Sequence, residues 1–219
     1  MNIYHGSKQE IKSPIIKGSN DHNDYGPSFY MTMDLASAKA WACRNNILGI
    51  VNEYFIDSHV FNNLKILDLT DKSKYSVLNW LAILIHFRTL KPLFIKENKY
   101  ALDYLEKYYI DVNEFDVVKG YRADDAYFRF PISFIQNDLS FNDLEKTYLS
   151  GNLGIQYAFM SERAIKALKF VRTMECEEYQ KGRYFDAVVK ATNDLNQVLS
   201  LPRDPSKTYI LDLIRKENE

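Results

Sequence analysis

The chain has 219 residues, 46% of them hydrophobic and 26% charged, a globular composition that excludes disorder or a coiled coil as the overall description. With 28 basic against 29 acidic residues the net charge is -1, so no basic excess supports nonspecific nucleic-acid binding, which relies on Lys and Arg neutralising phosphates. Two cysteines, Cys43 and Cys176, without CxxC spacing leave no zinc or iron–sulfur pattern and read as reduced, buried thiols.

Met1-Asn2-Ile3-Tyr4-His5 lacks the basic and apolar regions of a signal peptide. The longest apolar run, within Val77 to Phe87, is far below the ~20 residues of a membrane span. A cytoplasmic protein with no membrane partner is expected. Asn2 to Gly6 reads as a short strand ending at a glycine, and Ser7 to Asp24 as a polar surface loop. In Ser28 to Met33 the pattern puts Phe29 and Met31 on one face, Tyr30 and Thr32 on the other. Asp34 is a helix N-cap, because its carboxylate accepts the unpaired amide hydrogens of the first turn. The helix runs from Leu35 to about Arg44 on residues of high propensity.

Gly49 to Asp57 and Leu64 to Thr70 are strands, the second alternating with period two. Tyr75 to Arg88 is apolar nearly all round and reads as a buried helix, with His86 as a satisfied core histidine. His22 and His59 are expected at the surface. Asn98 to Ile110 is an amphipathic helix presenting Leu102, Leu105, Tyr108 and Tyr109. These helices make an insertion over about residues 71–112. Phe115 to Lys119 is a strand, Ser140 caps a helix from Phe141 to Leu149, Ile155 to Ser161 is a strand and Glu162 to Phe170 a helix. The tail holds a helix around Tyr184 to Leu199, a break at Pro202 and Pro205, and a last helix or strand at Tyr209 to Ile214. The order is α+β, without regular βαβ alternation. No GxGxxG follows the first strand, and no Walker A, HExxH or GxSxG occurs.

Three stretches stand out by their order. His5-Gly6-Ser7 ends the first strand. Phe29-Tyr30-Met31-Thr32 lies on the next, followed on the helix by Lys39-Ala40-Trp41-Ala42, with Trp41 eleven residues after Tyr30. Ile155-Gln156-Tyr157-Ala158-Phe159-Met160-Ser161 comes late. Together they resemble the ADP-ribosyltransferase superfamily, in its diphtheria-toxin and poly(ADP-ribose) polymerase branch. More closely, they resemble a bacterial family of uncharacterised transferase-like domains that opens with Tyr-His-Gly-Ser. The resemblance covers roughly residues 2–170, with the tail segment near Tyr209 to Arg215 as a further candidate. It implies a split two-sheet ADP-ribosyltransferase-like core with a helical insertion, residues 1–219 forming one domain, NAD as co-substrate and no metal.

The resemblance also implies roles. His5 would donate to the adenosine-side ribose hydroxyls. Gly6 would offer its backbone to the nicotinamide amide with no side chain between, and Ser7 belongs to the same cofactor-binding segment. Tyr30 and Trp41 would hold the flat nicotinamide between aromatic faces. Gln156 falls where the family carries its catalytic Glu, so the implied catalytic set is His5, Tyr30 and Gln156. A glutamine accepts a hydrogen bond but carries no charge, which lowers electrostatic stabilisation of an oxocarbenium-like state. Three outcomes stay open: Gln156 suffices for slow transfer, another acid substitutes, or NAD is bound without catalysis.

Candidate substitute acids are Glu53, Asp124 and Asp125. The last two stand beside Arg122 after a strand and a glycine, where they could position a substrate or form a solvated turn. Glu175-Cys176-Glu177 mimics the Glu-x-Glu of arginine-specific transferases but lies outside a catalytic strand. Asp24 and Tyr25 read as structural, with Asp24 bonding the turn at Gly26. The implied function is a mono-ADP-ribosyltransferase, a glycosyltransferase acting on a macromolecule, protein slightly favoured over nucleic acid by the near-neutral charge. The resemblance further implies a toxin of a toxin–antitoxin or phage-defence system, with a cognate antitoxin as partner. The alternative is a catalytically degenerate fold that binds ADP-ribose or a protein. An RNA 2′-phosphotransferase on the same fold would want several basic residues, a pattern not evident in the sequence.

Overall fold

The computed structural model describes residues 1–16, 21–123, 127–149 and 154–217. β1 (Asn2–Ser7) opens the chain with Ile3 buried on one face and Tyr4 on the other. β2 (Phe29–Met31) buries Phe29 and Met31 and leaves Tyr30 half-buried, as the alternation in the sequence requires. α1 (Leu35–Ala42) starts at Asp34, whose carboxylate accepts from the amides of Ala36 and Ser37. Its buried face is Ala38 and Ala42. These small side chains let the helix backbone rest on β1, so close that a Cβ on Gly6 would stand 2.2 Å from the Ala38 carbonyl oxygen. The missing side chain of Gly6 therefore lets the helix close on β1, a packing role beside the one that the resemblance implied.

β3 (Ile50–Phe55) pairs antiparallel with β1, from Asn2 opposite Phe55 to Ser7 opposite Ile50. α2 (Ser58–Asn62), capped by Asp57, leads to β4 (Ile66–Asp68). α3 (Val77–Phe87) begins at a reciprocal cap between Ser76 and Asn79 and buries the run from Val77 to Leu84 except Asn79. His86 is exposed, stacked on Tyr109 with ring centres 4.3 Å apart, because burial of α3 stops at Leu84. It is not the core histidine that the apolar run suggested. α4 (Pro92–Glu97), not expected from the sequence, precedes α5 (Lys99–Glu106), which ends short of the Ile110 expected.

Next come β5 (Val117–Tyr121), α6 (Arg129–Ile135), α7 (Phe141–Leu149), β6 (Ile155–Phe159) and α8 (Glu162–Lys166). The Ser140 hydroxyl caps α7 by accepting from Asp143. The helix expected to reach Phe170 stops at Ala167, and β7 (Lys169–Glu175) begins at once. β7 is an edge strand with Lys169, Val171, Arg172 and Glu175 exposed, and its register slips so that Val171 has no partner on β3. That leaves no two-residue period to read. α9 (Arg183–Leu199) and α10 (Ile210–Glu217) close the described chain.

The strands form two open sheets. One runs β1-β3-β7 and is antiparallel throughout; the other runs β2-β6-β5-β4, with β4 and β5 parallel. Between them lie Ile3, Tyr54 and Ile56 from the first side and Phe29, Met31, Val117, Tyr157 and Phe159 from the second. α1 covers the far face of the first sheet through Ala38, Ala42 and Cys43, packed on Val51 and Cys176. The two cysteines are free and buried, and burial with the neighbouring Cys43 pushes the Cys176 thiol up to about 12, which makes it inert. A larger core joins Leu67, Val118 and Ala158 to Trp80, Leu81 and Leu84, and takes in Ala191, Leu195 and Ile210 from α9 and α10. Each of these large apolar side chains contributes about 1.5–3 kcal/mol by burial. The helical insertion is thus a wall of the main core.

Candidate functional site

The two sheets meet at one bridge among the described residues. The Tyr4 amide donates to the Thr32 carbonyl at 2.8 Å, and the Thr32 amide to the Tyr4 carbonyl at 2.9 Å. Backbone groups alternate in direction along a strand. With Tyr4 turned toward β2, Gly6 turns its N–H and C=O toward the same edge, opposite Tyr30. The pairing is not continued there. The strands part, and a cleft of about 860 Å³ opens, lined among others by His5, Gly6, Tyr30, Trp41 and Gln156. That volume is in the range of small-molecule and cofactor sites.

His5 spans the split. Its Nδ1 lies 2.7 Å from the Tyr30 carbonyl oxygen, and its ring stacks on Phe29 with centres 4.3 Å apart. A carbonyl can only accept, so Nδ1 carries the hydrogen. Burial lowers the imidazole pKa below its ordinary value; the Tyr30 bond opposes this, and the nearby Arg44 charge adds to it. The ring is therefore neutral at pH 7, and Nε2 is an acceptor with no partner among the described residues. The resemblance implied a donor at this position; this tautomer leaves Nε2 an acceptor.

Tyr30 contributes its ring to the cleft, but its hydroxyl is spent. It donates to the Gly26 carbonyl at 2.9 Å and accepts from the Tyr25 amide at 2.8 Å, closing the turn before β2. Burial raises its pKa far above the usual phenol value, so it stays protonated. Trp41 lies in the lining, yet two guanidinium groups stand over its ring, Arg44 at 4.0 Å and Arg122 at 4.3 Å from the centre. Tyr184 of α9 meets it edge-on. An open second stacking face was expected of Trp41; the structure makes it a plate carrying positive charge. Arg44 forms no ion pair among the described residues. With Arg88, three arginines line the cleft from positions far apart in sequence.

Gln156 is 8% exposed and lines the cleft at the start of β6. Its Nε2 donates to Oδ2 of Asp24 at 2.7 Å and lies 3.4 Å from the Tyr121 carbonyl. Asp24 is itself buried. Oδ2 also accepts from the Ala123 amide at 2.9 Å, and Oδ1 from Arg88 Nη2 at 2.7 Å and Nε at 3.2 Å. Asp24 was read as a local turn residue, but it bonds three distant groups at the cleft floor.

Three other candidates are not brought in. The Ser7 hydroxyl folds the following loop, donating to the Gln9 carbonyl and accepting from Asn52 at 3.1 Å. Glu53 is buried in the first sheet with its oxygens on Arg172 and Asn2, at 2.7 and 2.8 Å, and is outside the cleft lining. Glu175 and Glu177 flank Cys176 and are also outside it. Asp124 and Asp125 lie outside the described residues. The stretch Gln9 to Ile15, read from the sequence only as part of a polar surface loop, walls the cleft, and the buried Asn52 holds it by accepting from the Ile11 amide at 2.8 Å. Among the described residues there is no cluster of His, Cys, Asp or Glu fit to hold a metal ion, and no helix long and apolar enough to cross a membrane.

Fold and site define an α+β protein of two open sheets with a cofactor-sized cleft where they part. A family model described as "Protein of unknown function (DUF3990)" matches residues 1–170, and the chain belongs to that family. No curated protein and no solved structure matches it.

Proposed function

We propose that the cleft binds NAD and that the protein is an NAD-dependent mono-ADP-ribosyltransferase built on a split two-sheet transferase core. The observation that carries the reading is the parted edge at Gly6. Its N–H and C=O match the acceptor and donor of a carboxamide, beside the Tyr30 ring and the His5 acceptor nitrogen. Nicotinamide would lie on Tyr30 with its amide on Gly6. A ribose hydroxyl would donate to His5 Nε2, and Arg44 and Arg122 would meet the diphosphate. The glycosidic bond to nicotinamide breaks and neutral nicotinamide leaves. A nucleophile of the macromolecule bonds to the ribose C1 and gives its proton to solvent. With Gln156 in place of an acid, that position stabilises the cationic transition state by its dipole alone, which predicts slow turnover. The acceptor class favoured is protein, and an intracellular toxin with an antitoxin partner follows from the resemblance.

A specific observation favours a second reading, a binding module without catalysis: Asp24, the one carboxylate on the cleft floor among the described residues, is neutralised by Arg88. One experiment separates the two. Protein incubated with adenine-labelled NAD, cell lysate and RNA should transfer label to a macromolecule, found by mass spectrometry. Intact protein that binds NAD yet labels nothing supports the module. Protein that does not bind NAD refutes both NAD-based readings.

A further inference from the structure

The cleft floor holds a buried polar cluster that the proposed chemistry does not by itself explain. Asp24 Oδ1 takes two hydrogens from Arg88, and Oδ2 takes one each from Ala123 and Gln156. Two oxygens with about four acceptor sites are thus saturated. Asp24 has no lone pair left for a ligand and cannot itself be the missing acid. It acts on Gln156 instead. An amide can turn over and exchange its O and N at little steric cost, but here the turned form would set Oε1 against a carboxylate and the Tyr121 carbonyl, both pure acceptors. Only the form with Nε2 inward satisfies them. Oε1 is then the branch without a partner among the described residues, in a side chain that lines the cleft.

We propose that Asp24 is a positioning residue that fixes the Gln156 amide, so that the cleft floor presents an uncharged acceptor to a hydroxyl of the ligand. The inference rests on the NAD reading, in which that hydroxyl belongs to the nicotinamide-side ribose. It has a counterintuitive consequence. Restoring the acid, Gln156→Glu, sets a second carboxylate against Asp24 Oδ2, where Gln156 Nε2 now lies at 2.7 Å. Two carboxylates so close share one proton, and the pair titrates well above a normal carboxylate. The charged and titratable groups facing it are Arg88 at the end of α3 and Tyr25 and Tyr30 before and on β2, while Arg122 after β5 lines the same cleft.

The test measures NAD affinity by calorimetry and Tm between pH 5 and pH 8.5. Gln156→Glu should bind NAD about tenfold more weakly than wild type at pH 8 and recover toward pH 5. Its Tm should fall relative to wild type as pH rises, because the folded pair holds a proton that the unfolded chain has released. Asp24→Asn combined with Gln156→Glu makes the pair complementary again and should remove the pH dependence. A Gln156→Glu variant that binds as tightly as wild type at pH 8, or whose Tm gap is constant with pH, overturns the proposal. If wild type binds no NAD, the functional reading fails while the Tm profile still decides the role of Asp24. Should Gln156→Glu not fold, Asp24→Asn is compared in wild-type and Gln156→Leu backgrounds. Weaker NAD binding only in the wild-type background supports action through Gln156; equal losses in both refute it.

Discussion

Gly6→Ala separates two reasons for a glycine at the mouth of the cleft. The new Cβ would lie 2.2 Å from the Ala38 carbonyl oxygen and 2.8 Å from the Ala42 nitrogen, both backbone atoms of α1. Neither can swing aside, so α1 must move off β1 by roughly 1 Å to regain ordinary van der Waals distance. Overpacking of this kind costs about 1–3 kcal/mol, reduced by about 0.4–1 kcal/mol because alanine restricts the unfolded chain. The net loss centres on about 1.3 kcal/mol, and for a domain of this size Tm should fall by about 3–5 °C. Trp41 rides on α1 and Arg44 just beyond it, so NAD affinity should fall as well. Thermal melts with calorimetric NAD titration read both. An unchanged Tm with lost NAD binding would show that the bare Cα serves the ligand alone, and would refute the packing account.

Tyr30→Phe keeps the ring and strands the Tyr25 amide and the Gly26 carbonyl; it should cost about 1–3 kcal/mol by denaturant melting while NAD still binds, whereas Tyr30→Ala should abolish binding. For His5 the folded pKa is below the unfolded value of 6.5, so the unfolded chain binds more protons and stability falls as pH drops below about 6.5. His5→Gln should flatten that limb of the stability–pH curve, and an equal slope in the variant would count against a buried neutral imidazole. Asn52→Ala removes the acceptor of the Ile11 amide and the donor to Ser7 and Gln9. Trypsin should then cut faster at Lys8 and Lys12, and an unchanged cutting rate would show that the loop is held by something else.

Local signals carried much of the fold. Asp34 before an alanine-rich run announced α1, and the apolar run at Val77 announced α3, because a cap and an all-round apolar face are both properties of neighbouring residues. β7 was missed since an exposed edge strand with a slipped register leaves no period. At the site, His5, Gly6, Tyr30, Trp41 and Gln156 were legible as short motifs, and all five line the cleft. What each does there was less legible. The role of Asp24 depends on partners 64, 99 and 132 residues away, and no window along the chain can join them. Arg44 and Arg88 join Arg122, the one arginine the sequence singled out, only in space, which is why no basic pattern announced the three together. Ser7 was assigned by adjacency to His5, yet its hydroxyl is used to fold the loop that follows.

The shared core around α3 bears on where this protein can be cut. The family match ends at residue 170, but Ala191, Leu195 and Ile210 beyond it are buried in the same core as the insertion, and Lys107 of that insertion grips Glu217 at 2.6 Å. A fragment trimmed to the matched segment would carry an uncovered apolar floor and an unfinished core. The matched segment and the folding unit of this chain therefore have different borders, and the longer of the two is the one to express.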